Sequence, residues 1–186
     1  MKKYITGNLS NNAYFLPEWK VLIDAPLGIK EQINPQNIKK VFLTHGHYDH
    51  TEGLPEIIAD NPDVEVYLSK RELNFLKDHT PDLFSQVRWE FFPEEKDKLF
   101  GEIEVIETPG HTPGSVCFLL GNELFSGDTL FKGTVGRTDL RGGDENLLQN
   151  SLQNLLELLP PEIVVYPGHG EETSISASRK MLGVLP

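Results

Sequence analysis

The chain has 186 residues, 38% of them apolar and 24% charged, with a formal charge of −11. That length can bury a core without disulfide staples, and a single cysteine allows no internal bridge. The acidic balance argues against a nucleic-acid or anionic-membrane surface, and no apolar run approaches the ~20 residues of a membrane-spanning helix.

No apolar segment follows Met1-Lys2-Lys3-Tyr4, so a signal peptide is not expected and a cytoplasmic location is. Residues 5–9, 13–16 and 20–23 read as three strands of a meander, split by Asn11-Asn12 and Pro17-Glu18. Residues 40–43 form a short buried-type strand. Residues 54–59 read as helix with Pro55 in its first turn, and 64–68 as strand. Ser69-Lys70-Arg71-Glu72 reads as a capping box opening a helix to about 78. The aromatic stretch 84–92 suits a helix end plus a strand. Residues 98–100, 103–107, 116–120 and 123–125 make a second run of strands. Asp144 opens a helix to 158, with apolar residues at 147, 148, 152, 155, 156, 158 and 159. A strand at 163–166 and a helix at 173–182 close the chain. No repeat or linker divides it, so one domain over 1–186 is expected. Strands and helices mix and the strand run occurs twice, consistent with two sheets packed face to face with helices outside.

Chemistry concentrates in Thr44-His45-Gly46-His47-Tyr48-Asp49-His50, just after an apolar run. On an extended backbone, residues two apart point the same way, so His45, His47 and Asp49 can converge. His50 follows where the chain must turn. Of the six histidines, two more lie in glycine-proline turns after strands. These are His111, in Pro109-Gly110-His111-Thr112-Pro113-Gly114, and His169, in Pro167-Gly168-His169-Gly170. Asp128 repeats the design after strand 123–125. Imidazole and carboxylate together suit zinc, iron or manganese. Five histidines and two aspartates exceed the needs of one ion and fit two divalent ions with one bridge. Asp128 has the two oxygens a bridge needs. His79 reads as a solvated loop residue and Cys117 as a small buried strand residue.

His-x-His-x-Asp-His followed in order by a distant His, Asp and His resembles the metallo-β-lactamase superfamily over nearly the whole chain. The resemblance implies a four-layer αβ/βα sandwich of the α/β (α+β) class, with a two-metal site at the sheet edges. By position, His45, His47 and His111 would hold one ion and Asp49, His50 and His169 the other, with Asp128 bridging. Ser126-Gly127-Asp128-Thr129-Leu130-Phe131, Gly136-Arg137-Thr138-Asp139-Leu140 and the turn around His111 are similar to the glyoxalase II-like branch. That branch hydrolyses S-2-hydroxyacylglutathione thioesters. The β-lactamases of the zinc-cysteine type carry a metal-binding cysteine where this chain has Asp128, so antibiotic hydrolysis is a poor reading. Two departures bear on the thiol carrier. Arg137 stands where a lysine is usual, and the stretch after His169 has room for one helix rather than the helical extension of larger glyoxalase II enzymes.

The expected activity is therefore that of a binuclear metallohydrolase acting on a small-molecule thioester, with zinc at the site and iron or manganese as alternatives. Asp49 and Asp128 would orient the attacking hydroxide. Arg137 and Arg141 could grip a substrate carboxylate, with an Arg137–Asp139 pair as the plain alternative. Asp24, ending strand 20–23, is a candidate to orient a ligand histidine. The rival readings are a one-iron persulfide dioxygenase, a lactonase of the same superfamily and a non-catalytic metal-binding scaffold. Neither a nucleic-acid nor a membrane partner is expected, and the sequence leaves the oligomeric state open.

Overall fold

The computed structural model describes residues 1–92 and 102–183. They fall into two compact units, Met1–Phe92 and Pro93–Pro186. The first holds β1 (Lys2–Thr6), β2 (Asn11–Leu16), β3 (Val21–Ile23), β4 (Lys40–Phe42), α1 (Tyr48–Thr51), α2 (Leu54–Asp60), β5 (Glu65–Leu68), α3 (Leu73–His79), α4 (Pro81–Gln86) and β6 (Trp89–Phe91). Its six strands lie side by side in chain order. β1, β2 and β3 pair antiparallel; β3, β4, β5 and β6 run parallel. Ala13, Phe15, Leu22, Val41 and Val66 alternate onto one face, where Leu54 and Ile57 of α2 and Leu76 of α3 cover them. Tyr14, Leu16, Ile23 and Phe42 on the opposite face are buried too. These continuous apolar runs are what strands buried on both faces require.

The second unit holds β7 (Ile103–Glu107), β8 (Val116–Leu120), β9 (Glu123–Gly127), β10 (Leu130–Phe131), β11 (Thr134–Val135), α5 (Glu145–Leu158), β12 (Val164–Pro167), β13 (Thr173–Ser174) and α6 (Ile175–Leu182). Its main sheet has the order β13-β12-β9-β8-β7, and β10 pairs with β11 in a separate ribbon. β8 runs antiparallel to both β7 and β9, whereas β12 runs parallel to β9. β7, β9 and β12 therefore share one direction, and their C-terminal ends reach the same edge. Leu148, Leu152, Leu155 and Leu156 of α5 pack on Cys117, Leu124 and Val165.

The fold class is the expected one, with two mixed sheets accompanied by helices, and most elements match within two residues. The differences have physical causes. Asn11-Asn12 is not a turn: both residues are buried and open β2, and the turn precedes them. Leu9 lies in that turn rather than in a strand and is half exposed. Ser69 makes no side-chain capping bond; Lys70–Glu72 is a 3-10 turn and the helix proper starts at Leu73. His79 closes that helix instead of lying in a loop. In α5, Leu147 and Leu158 face outward. At ~100° per residue they lie about 20° apart, off the stripe formed by the buried leucines. Residues 173 and 174 pair as a strand before α6, which Ser174 caps by accepting from Ala177 N–H. Asp144 caps α5 as expected, accepting from Leu147 N–H. The strand expected at 98–100 lies outside the described residues. Among the described residues, no helix is long and apolar enough to cross a membrane.

Candidate metal-binding residues

The first unit gathers its candidates at the C-terminal ends of β3 and β4. Parallel pairing puts both ends on one side, with Ile23 opposite Phe42. Asp24 follows β3 with a left-handed backbone (φ 58°) that aspartate tolerates. Its N–H donates to Phe42 O at 3.0 Å, and Ala25 N–H donates to His50 O at 2.8 Å. The segment after β4 is thereby tied down at both ends.

Within it the carboxylate of Asp24, almost fully buried, is the hub. Oδ1 accepts from Thr44 N–H at 2.8 Å. The Thr44 hydroxyl stands 3.1 and 2.9 Å from the two carboxylate oxygens, and its one proton goes to them. Thr44 Oγ1 can then only accept from His45 Nδ1, 3.0 Å away. Oδ2 accepts from His50 Nδ1 at 2.9 Å. A carboxylate cannot donate, so Nδ1 carries the hydrogen in both rings, and in the neutral ring the lone pair lies on Nε2. Asn11, the first residue of β2, donates from Nδ2 to Asp49 Oδ2 at 2.7 Å. The ligand atoms so presented stand close: His45 Nε2 lies 3.1 Å from His47 Nδ1, and His50 Nε2 lies 3.7 Å from Asp49 Oδ2.

The second unit gathers His111, Asp128 and His169 at the shared edge of β7, β9 and β12. The His111 turn is pinned to α5, with Asp144 N–H donating to Gly110 O at 2.8 Å and Ser151 Oγ to Pro109 O at 2.7 Å. His111 Nδ1 donates to Arg137 O at 2.7 Å, which again leaves Nε2 as the nitrogen able to face an ion. Gly136 is required beside it, since an added Cβ would overlap the Asp128 carbonyl oxygen and lie 3.3 Å from His111 Cβ. Gly168 N–H donates to Gly127 O at 2.8 Å, joining the ends of β9 and β12. Asp128 Oδ2 stands 3.5 Å from His111 Nε2 and 3.6 Å from His169 Nε2.

The sequence model of the metallo-β-lactamase superfamily matches residues 17–169. The chain belongs to that superfamily. The Bacillus subtilis (strain 168) protein described as a probable metallo-hydrolase, YqgX, is 37% identical over 190 residues, spanning 91% of this chain and 89% of its own. The hydroxyacylglutathione hydrolase GloC of Haemophilus influenzae is 34% identical over 160 residues, spanning 77% and 74%. The crystal structure of TTHA1623 in a di-iron-bound form superposes with a TM-score of 0.84 at 31% identity, covering 97% of this chain and 98% of that one.

Metallo-β-lactamase superfamily members bind metal ions, and the donor atoms here fit one. Nitrogen or oxygen ligands ~2.1 Å from a tetrahedral ion lie ~3.4 Å from one another. The four ligand-atom separations above, 3.1, 3.7, 3.5 and 3.6 Å, cluster around that edge and are mostly too long for hydrogen bonds. The ring tautomers set by Asp24, Thr44 and Arg137 O leave Nε2 available to a metal ion in three histidines. This is the outer shell that metal histidines commonly need.

Of the other candidates, Asp24 meets His50 directly. Arg137 meets Asp139, with Nε and Nη2 donating to its two carboxylate oxygens at 2.7 and 2.8 Å. The guanidinium holds that carboxyl down at about 2. Arg141 lies exposed on the loop leading to α5. Cys117 is fully buried in β8, and burial pushes its thiol up to about 11. Sequence reasoning passed over Asn11, Thr44 and Glu72. Thr44 directly precedes the histidine motif and was the one with a local signal.

Proposed function

We propose that the chain is a binuclear metal-dependent thioesterase of the glyoxalase II type, working as one domain over 1–186 in the cytoplasm. Its substrates would be S-2-hydroxyacyl conjugates of a small thiol, S-lactoylglutathione being the type case. In this reading His45, His47 and His111 would hold one ion and Asp49, His50 and His169 the second, with Asp128 shared between them. The observation that carries it is the Asp128 carboxylate: one oxygen, Oδ2, lies within 3.6 Å of the ligand nitrogens of both His111 and His169, histidines assigned to different ions. The Haemophilus influenzae relative, a hydroxyacylglutathione hydrolase, supports the substrate class.

Bound divalent ions supply an activated water near neutral pH and polarise an acyl carbonyl. Asp49 and Asp128 would orient that water. Asn11 holds one oxygen of Asp49 and thereby fixes its rotamer. A thiol leaving group has a pKa of ~8.5 and departs as thiolate without a proton donor. That suits a chain whose clustered histidines are all assigned as ligands.

The test is elemental analysis of the purified protein together with an S-lactoylglutathione assay. Two ions per chain, with hydrolysis lost on chelation and restored by zinc, iron or manganese, is the expected result. One iron per chain with oxygen uptake on glutathione persulfide would overturn the proposal in favour of a dioxygenase. Hydrolysis confined to lactones would overturn the substrate class.

A further inference from the structure

We infer that Glu72 is a positioning residue for the His45–His47 ligand pair, acting through the peptide between them. The inference rests on the reading of those two histidines as ligands. Gly46 sits between them, in a segment that has left the sheet and cannot use ladder partners for its N–H. That N–H donates instead to Glu72 Oε1 at 2.8 Å. Glu72 is fully buried, a costly place for a carboxylate unless polar partners meet it. Ser69 makes no side-chain capping bond at the 3-10 turn, and the Glu72 side chain makes none at α3.

The same face of this segment builds the wall beside the ligands. Phe75, three residues on, sets its ring edge-on to the His47 imidazole with centroids 5.4 Å apart. Leu76, four residues on, lies against Gly46: a Cβ added at Gly46 would come within 2.9 Å of Leu76 Cδ1 and 3.2 Å of Glu72 Oε1. Glu72 thus sets the peptide plane, and Phe75 limits rotation of the ring that follows it. Together they restrain the peptide and the ring on either side of the 3.1 Å contact between His45 Nε2 and His47 Nδ1.

The experiment compares the wild type with Glu72→Ala, Glu72→Gln and His47→Ala. It reads zinc affinity by chelator competition, the visible spectrum of the cobalt-substituted protein and the melting temperature of the metal-free protein. Glu72→Ala, which leaves Gly46 N–H without this acceptor, is expected to weaken zinc binding by about 10- to 100-fold and alter the cobalt spectrum. Glu72→Gln keeps an acceptor oxygen and is expected to restore affinity to within about threefold. Parental affinity and spectrum in Glu72→Ala, alongside lost affinity in His47→Ala, would overturn the positioning role alone. Glu72→Gln binding as weakly as Glu72→Ala would also overturn it. Unaltered affinity in His47→Ala would remove the ligand reading and the inference with it. Should Glu72→Ala fail to fold, Gly46→Ala decides, because the added methyl crowds Oε1 without removing it. Weaker zinc binding is expected, and parental binding overturns the inference.

Discussion

Asp24→Asn is the most informative single change, because the structure states what each atom of the side chain must do. The backbone at 24 has φ 58°, a region asparagine enters readily and alanine does not, so this substitution isolates the side chain. Asp24 accepts from Thr44 N–H, from the Thr44 hydroxyl and from His50 Nδ1. Asparagine has one oxygen for positions that now use two. If its amide nitrogen faces Thr44 N–H, two donors meet at 2.8 Å. If it faces His50, Nδ1 must accept, the ring proton moves to Nε2, and the ligand lone pair is lost. The second arrangement is the less costly, so the damage falls on metal binding. Loss of such an outer partner typically costs 10- to 100-fold in metal affinity, or about 1.4–2.7 kcal/mol. The metal-free protein loses a charge-assisted buried bond as well, about 2–3 kcal/mol, for a fall in melting temperature of about 4–12 °C at this chain length. Chelator competition and thermal melts of the metal-free protein measure the two effects separately. Parental zinc affinity and stoichiometry in Asp24→Asn would refute the claim that Asp24 sets the His50 tautomer.

Asp128→Ala is expected to lower metal content and to reduce thioesterase activity by at least about 100-fold; full content and activity would end the bridging scheme. Gly136→Ala should destabilise the protein by about 3 kcal/mol and lower its metal content, because the new methyl overlaps the Asp128 carbonyl oxygen; chemical denaturation and elemental analysis check it. The Cys117 thiol should resist a disulfide exchange reagent in the native state and react once per chain on unfolding. Its folded-state pKa is raised from about 9 to about 11, so the native state holds the proton more tightly than the unfolded one. That contribution to stability is complete below about pH 9 and fades as pH rises through about 11. Cys117→Ala should flatten this part of the stability profile. Asp139→Asn, which removes the partner of Arg137, should change KM for an anionic thioester while leaving zinc content unaltered, as steady-state kinetics and elemental analysis would show.

Much of this was legible because local chemistry and local geometry agree. A histidine-rich turn follows an apolar strand at 40–42, and glycine-proline turns follow β7 and β12; each is a short-range pattern that tertiary packing had no reason to override. The leucine stripe of α5 was legible for the same reason. Where the reading failed, long-range pairing decided. Asn11-Asn12 has the composition of a turn, yet β2 is buried on both faces and uses Asn11 as a donor to a carboxylate 38 positions along the chain. Ser69-Lys70-Arg71-Glu72 has the spacing of a capping box, yet Ser69 makes no capping bond and Glu72 accepts from a backbone N–H 26 positions earlier. In both cases a polar residue whose local pattern has a familiar use was taken by a partner that spacing alone could not reveal.

This division follows from what a metal site asks of a chain. Ligands must be of certain types and close in space, and placing several on one turn is the simplest way to meet both demands. Holding them still is a different problem, because a turn cannot brace itself. His50 directly and His45 through Thr44 are tied back to Asp24 just after the neighbouring strand, Asp49 to Asn11 one strand further, and Gly46 to Glu72 just before α3. Each brace comes from a different element of the first sheet and its helices. Substitutions at the braces should therefore leave the proposed ligand motif intact and still weaken metal binding in graded steps, while substitutions of the proposed ligands should weaken it further. If brace variants lost stability without losing affinity, the sheet would be carrying the turn through its backbone bonds alone.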